Sequence, residues 1–361
     1  MSRFQITRRT CVITSVVCLI FASSSASAGG NVAQKIAEFK EDDDVASLEF
    51  SPDSSEIAVG TFVTLHIHVW KWASRPGIER RFSKPPVVLD YTSGDGIRYS
   101  PDGRFLAVAH SLASEADGRG VVSIFDTKTG AVVHGLAEPF GGGIYSRIAF
   151  SGDGQFLVRT YDSDKPPGRN QFLVYSANTW GELWGLRVSP LNVMALALSA
   201  NSKMAAVGGV TLGPGIAHNA QILVVDLNQK RVIKTIDDAF PRENQVTQIA
   251  WSPDGVHLAA GGITGGTFSG TDAVRIYDTS TGEVVAKESA PSASVLALRY
   301  TPNGKYLIEC GIGSSVRIWD GAHQNLMQEL PNGHAYALSV SRDSSYLAVS
   351  NGAHVEVWKF R

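Results

Sequence analysis

His66 and His68 are the closest pair of imidazoles in the chain, and alternation along a strand puts both on one face, as some metal sites require. They fall in a short apolar segment, so ordinary packing or exposure is the expectation and no metal site is assigned to them. Glu41-Asp42-Asp43-Asp44 offers carboxylate oxygens that suit a hard cation, but it lacks the spaced ligands of a dedicated calcium loop and reads as a solvated acidic loop. A further polar set, Asp162, Asp164, Lys165, Arg169, His218 and Asp272, lies in Gly- and Pro-rich stretches. Its chemistry suits recognition by charge and hydrogen bonding. No phosphate-cradling Gly-x4-Gly-Lys-Ser/Thr, His-Glu-x-x-His, Gly-x-Ser-x-Gly or Cys-x-x-Cys is present. No catalytic residue, metal or cofactor is therefore expected.

The elements that must hold these residues repeat. A Ser-Pro-Asp-Gly-like turn follows a short apolar segment at Ser51, Ser100, Ser151, Ser199, Ser252, Thr301 and Ser341, at intervals of 49, 51, 48, 53, 49 and 40 residues. Such a period, with short strands and Gly-rich turns, indicates a propeller or a related repeat architecture. In the fifth copy, 246–251, 257–261, 274–278 and 283–287 read as strands a to d of an antiparallel sheet, bounded by Gly, Pro and Asp. The turn residues have mechanical reasons: proline presets φ, aspartate bonds nearby backbone, and glycine accepts positive φ.

The chain resembles the WD-repeat β-propeller family over essentially all of 29–361. The resemblance rests on the strand-a turns, on the strand-c endings Phe125-Asp126, Val225-Asp226, Tyr277-Asp278 and Trp319-Asp320, and on Gly333-His334 before the seventh copy. It implies an all-β fold: a seven-bladed propeller of four-stranded antiparallel sheets. The family's histidine, Ser/Thr, tryptophan and aspartate tetrad is carried in part only by His334, Ser350 and Trp358, with no aspartate in the 351–353 turn. A divergent member held mainly by apolar packing is implied. The seventh copy ends after its third strand, so 34–40 is expected to complete the last blade and remove two open sheet edges.

Extra length is concentrated in four b–c loops, 111–120, 161–170, 209–220 and 262–272, whereas 311–314 and 351–353 are short. These loops belong to blades 2–5 and emerge on one face, which marks that face for binding. The polar set above lies within them.

Residues 1–28 read as an export signal: Arg3, Arg8 and Arg9, an apolar stretch at 11–22, then Ala26-Ser27-Ala28. Arg8-Arg9 after Thr7 admits the twin-arginine route as well as the general one. The apolar stretch is shorter than the roughly 20 residues that span a bilayer, so no stable membrane insertion is expected. Two of the three cysteines, Cys11 and Cys18, leave with the signal, and Cys310 reads as a small buried hydrophobe. Loss of three arginines takes the formal charge from −2 to −5, without a basic tract, so nucleic acid is not an expected partner.

Together these features indicate a signal peptide (1–28) and one propeller domain (29–361), periplasmic or secreted, of the bacterial type. The resemblance implies a non-enzymatic scaffold that binds another protein or an envelope component. The alternative is a propeller enzyme of lactonase or quinoprotein-dehydrogenase type with a site in the central funnel; a glycan- or small-molecule-binding module is a third reading. The apolar starts of strand a, such as Val45-Ala46, Val193-Met194, Val246-Thr247 and Val295-Leu296, argue against the enzyme.

Overall fold

All seven predicted turns close with one set of bonds. In the first, the Ser54 amide donates to the Ser51 carbonyl at 2.8 Å, and Ser51 Oγ donates to Asp53 Oδ1 at 2.6 Å. The same aspartate accepts from the Ser55 amide, while Ser51 Oγ accepts from the Glu56 amide. Four Ser-Asp pairs repeat the hydroxyl-to-carboxylate bond, and Ser199-Asn201 and Thr301-Asn303 reproduce it with an amide oxygen. The fourth turn residue has positive φ in every copy: Gly103, Gly154, Gly255 and Gly304, but Ser54, Ser202 and Ser344 in the others. The serines have a compensating bond in two cases, since Ser202 Oγ and Ser344 Oγ accept from the Gly152 and Asn303 amides of the preceding blade.

The computed structural model describes residues 31–62, 67–73, 77–82, 87–89, 96–112, 120–137, 146–161, 172–188, 191–211, 219–237, 239, 245–263, 272–289, 294–311, 315–322, 324–331 and 335–361. Strand β1 (Ala33–Lys40) comes first. Blade 1 is β2 (Val45–Phe50), β3 (Glu56–Thr61), β4 (Ile67–Lys71) and β5 (Gly77–Arg81). Blade 2 holds β6 (Val87–Leu89), β7 (Ile97–Tyr99), β8 (Phe105–Leu112), β9 (Gly120–Asp126) and β10 (Val132–Ala137). Blade 3 is β11 (Ser146–Phe150), β12 (Phe156–Tyr161), β13 (Phe172–Ser176) and β14 (Glu182–Leu186). Blade 4 is β15 (Leu191–Leu198), β16 (Met204–Thr211), β17 (Ala220–Asp226) and β18 (Arg231–Ile236).

Blade 5 is β19 (Gln245–Trp251), β20 (His257–Ile263), β21 (Asp272–Asp278) and β22 (Val284–Ser289). Blade 6 is β23 (Val295–Tyr300), β24 (Tyr306–Gly311), β25 (Val316–Asp320) and β26 (Leu326–Leu330). Blade 7 contributes β27 (Leu338–Val340), β28 (Tyr346–Asn351) and β29 (His354–Phe360). Every pairing is antiparallel, and the fold is the expected all-β, seven-bladed propeller of four-stranded sheets. One detail differs from expectation: β6 and β7 both pair with β8, so strand a of blade 2 is split into two short pieces.

Closure follows the sequence expectation. β1 is the outer strand of blade 7, paired with β29 from Ala33↔Phe360 to Lys40↔His354 with a register shift between Lys35 and Ala37. Blade 6 grips the same strand, because Gln328 Oε1 accepts from the Ala33 amide at 2.7 Å while its Nε2 donates to the Ala33 carbonyl at 3.1 Å.

Apolar packing between sheets holds the ring. Seven clusters of buried side chains each draw on two adjacent blades, one cluster per interface. The valines that start strand a, Val45, Val193, Val246 and Val295, are buried within them. Between blades 5 and 6 the fit depends on a missing side chain: a Cβ on Gly261 would lie 2.6 Å from Val295 Cγ1. Between blades 4 and 5, a Cβ on Gly208 would lie 2.5 Å from Val246 Cγ1. Interiors already packed to crystal density cannot absorb that overlap without moving a strand.

Candidate functional site

Four strand pairs carry the roots of the long loops: β8–β9, β12–β13, β16–β17 and β20–β21. Their last paired residues are Ser111↔Gly120, Thr160↔Phe172, Val210↔Ala220 and Gly261↔Val274. All four pairs sit at the b–c end of their blades, opposite the Ser-Pro-Asp-Gly-like turns. At the root in blade 4, Thr211 and Asn219 fix each other, the Asn219 amide donating to Thr211 Oγ1 at 3.0 Å and the Thr211 amide to the Asn219 carbonyl. Asp162, Asp164, Lys165, Arg169 and His218 lie outside the described residues. Asp272 is the first residue of β21, paired with Ser289.

The acidic run before blade 1 departs from expectation at its first residue. Glu41 is buried, only 4% exposed, rather than solvated. Its carboxylate stands 2.7 Å from His68 Nδ1 and accepts the indole N–H of Trp70, whose ring stacks on Phe39 at 4.5 Å. Two strand-c side chains of blade 1 thus clamp the loop that leaves β1. His68 is a structural partner, as its packing expectation held, and His66 lies outside the described residues.

Related arrangements occur on the other side of the closure. Trp319 Nε1 donates to Glu309 Oε1 at 3.2 Å, and Arg317 Nη1 lies 3.3 Å from the same oxygen, with both charged side chains about 6% exposed. In blade 7 Trp358 Nε1 donates to Glu356 Oε2 at 3.3 Å, and Lys35 of β1 pairs with Glu356 at 3.0 Å. Strand-c tryptophans in blades 6, 7 and 1 therefore give their N–H to glutamates. Ser350 instead accepts the Tyr336 and Ala337 amides, and His334 lies outside the described residues.

The described residues bring a second site together, on the turn face. Stacking the seven copies on their turn hydroxyl shows it: two residues earlier stand Glu49, Arg98 and Arg299 in blades 1, 2 and 6, Ser339 in blade 7, and alanine (Ala149, Ala197, Ala250) in blades 3–5. Arg98 Nη1 is 3.4 Å from Glu49 Oε2, and the Arg299 charge also acts on Glu49. Small Ser339, whose Oγ accepts the Phe50 amide at 3.0 Å, is the only side chain of this set between Glu49 and Arg299. Burial raises the Glu49 pKa against the pull of both arginines, although a quarter of its side chain stays open to the channel.

Above this charged half opens a cavity of about 300 Å³. Glu49 forms its floor, Pro52, Pro101 and Pro302 its rim, and Tyr99 and Val340 part of its wall. Arg342 reaches from the blade 7 turn across blade 1 and donates to the Pro101 carbonyl at 3.1 Å. Reading strand a from its first residues alone gave an apolar funnel; the charges sit deeper, each in a single copy, and only the stacked alignment exposes them.

Cys310 is buried in the interface between blades 6 and 7, and burial pushes its thiol up to about 12, so thiolate chemistry is suppressed there. Among the described residues, no group of three His, Cys, Asp or Glu side chains is placed to hold a metal ion. Nor is any described helix long and apolar enough to cross a membrane.

Comparison with known proteins agrees with the repeat. Residues 216–301 match the family described as anaphase-promoting complex subunit 4 WD40 domain. The findings support a WD-repeat β-propeller. A relative from Caenorhabditis elegans, transcription initiation factor TFIID subunit 5, is 33% identical over 82 residues, covering 22% of this chain and 13% of that protein. The COMPASS component SWD3 of Saccharomyces cerevisiae is 27% identical over 136 residues, covering 37% of this chain and 40% of that protein. The chain thus spans less than half the length of these relatives.

Proposed function

We propose that this chain is a non-enzymatic scaffold that holds another protein against the face bearing the long b–c loops of blades 2–5. One observation carries the reading: a ring closed at every interface fixes four pairs of loop roots at one end of the fold. A rigid frame lowers the ordering cost that mobile surfaces incur on binding. Support comes from the relatives, whose names make them subunits or components of assemblies. Asp162, Asp164, Lys165, Arg169, His218 and Asp272 are the proposed contact residues. The export-signal pattern read in 1–28 supports a place in the periplasm or outside the cell, with a protein or envelope component as partner.

Crosslinking and affinity capture from the native envelope test the reading. The full chain is compared with a variant whose four loops are trimmed and with Lys165→Glu/Arg169→Glu. Capture of a defined partner should fall at least tenfold with trimming and clearly with charge reversal. Unchanged capture by the trimmed chain, or its loss only on mutating the blade 6 surface, refutes the face. Cytoplasmic retention of the full-length chain in fractionated cells refutes the location.

A further inference from the structure

The turn-face cavity has the make-up of a ligand site, a wall of mixed apolar and polar surface with a few converging polar groups, at the small end of the usual range of about 300–1,000 Å³. Three of its rim residues are the prolines of the turn motif, whose rings offer flat apolar surface without a donor. Tyr99 and Val340 add to that surface. The charged residues that line the space are Glu49 at the floor and Arg342 at the mouth, with Ser51 and Tyr99 as its other polar side chains.

We propose that this funnel binds a small organic acid, its apolar or aromatic body against the prolines and Tyr99 and its carboxylate on Arg342. Charge selects the acid over an amine. The Glu49 carboxylate is already answered by Arg98 and Arg299, so a ligand ammonium would compete with two guanidiniums for one acceptor. Arg342 adds a further guanidinium, at the cavity itself. The turn aspartates do not enter the wall, because each is folded back on its own turn hydroxyl, as Asp53 is on Ser51 and Asp102 on Ser100. Arg342 has donors to spare: a guanidinium carries five N–H groups, and the Pro101 carbonyl takes one. A carboxylate would accept two of the remainder in the paired geometry that makes such contacts strong. Raised by burial, the Glu49 carboxyl also repels an arriving anion less than an ordinary glutamate would.

The inference is independent of the loop-face scaffold, and its test is separate. Calorimetric titration of the full chain uses three probes of one shape: 3-phenylpropanoate, 3-phenylpropanol and 3-phenylpropylammonium. The acid should saturate with a dissociation constant near or below about 1 mM, with the amine at least about tenfold weaker. Arg342→Gln, on an exposed turn where folding is not at stake, should weaken the acid about tenfold, and Arg342→Lys should restore part of the loss. Glu49→Gln should leave acid binding intact or tighten it. Equal or tighter binding of the amine overturns the proposal. So does indifference of the acid to Arg342→Gln, or no saturation by the acid up to roughly 50 mM.

Discussion

Around the closure, in blades 6, 7 and 1, strand-c tryptophans donate to buried glutamates, and Gln328 bonds both backbone groups of Ala33. Across the ring, in blades 4 and 5, close fit takes a larger part: Gly208 and Gly261 leave room for Val246 and Val295, beside bonds from Trp251 Nε1 to the Ala197 carbonyl and from Thr247 Oγ1 to the Val295 carbonyl. Both halves bury their interfaces fully, so burial alone does not explain the difference. The closure joins segments about 300 positions apart, as the 295-residue separation of Gln328 and Ala33 records. Hydrogen bonds are directional and tell one register from another, whereas apolar contact tolerates a slip. Blades 4 and 5 are joined to neighbours in sequence, where the turn already sets the register and shape complementarity adds to fewer side-chain bonds.

Removing the Glu41 acceptor should do the most damage. Glu41→Ala leaves His68 and the Trp70 indole facing a void in a buried site, at a cost of about 3 kcal/mol, with Glu41→Gln nearer half of that. Urea unfolding gives the number; a loss under about 0.5 kcal/mol for the alanine variant would show that the clamp is ornamental. On the opposite side Gly261→Ala should cost about 2 kcal/mol by overpacking against Val295. Gly135→Ala, where nothing lies within 4 Å of the new carbon, should change stability by less than about 0.5 kcal/mol. Equal effects at the two glycines would show that the joint does not depend on close fit at Gly261.

The turns common to both halves should respond least. Hydrogen bonding from Ser252 holds the Asp254 carboxyl below its ordinary value. A group with a lowered folded pKa stabilises above its unfolded value, about 3.9, and that contribution disappears as pH falls through the folded pKa. Asp254 is exposed, so the amount is a few tenths of a kcal/mol. Asp254→Asn should fold almost as well at neutral pH, since Asn201 and Asn303 already make the same bonds. Its melting temperature should fall less steeply than the parent's between about pH 4.5 and 2.5. A steeper acid limb in the variant would reverse the assignment.

Much of the frame was legible because its signals are local. Ser or Thr, Asp or Asn, and Gly or Ser lie within four residues of one another in each turn, and the strand on either side alternates, so one copy predicts the next. The final strand at 34–40 was legible by elimination, since the seventh copy lacks a fourth strand of its own. Glu41 was not legible, because a glutamate followed by three aspartates looks solvated, and its partners His68 and Trp70 lie 27 and 29 positions on. The charged half of the channel was hidden for another reason: Glu49, Arg98 and Arg299 each occur once, 49 and 201 positions apart, and mean something only when the copies are superimposed. The split of strand a in blade 2 has no signal in the turn motif, which begins only at Ser100.

The pairing of β1 with β29 also sets a clock. Gln34 and Arg361 touch across 327 positions of chain, with Arg361 Nη2 donating to Gln34 Oε1 at 3.4 Å. At about 5–20 residues per second, a ribosome makes the second partner on the order of half a minute after the first. In a chain that folds as it is made, the earlier blades are then an open arc, and the outermost strand of the finished ring waits without a sheet to join. Pairing those ends is a unimolecular closure of a very long loop, slow by the standards of local contacts. Helpers that delay pairing or shield edges would act in this interval.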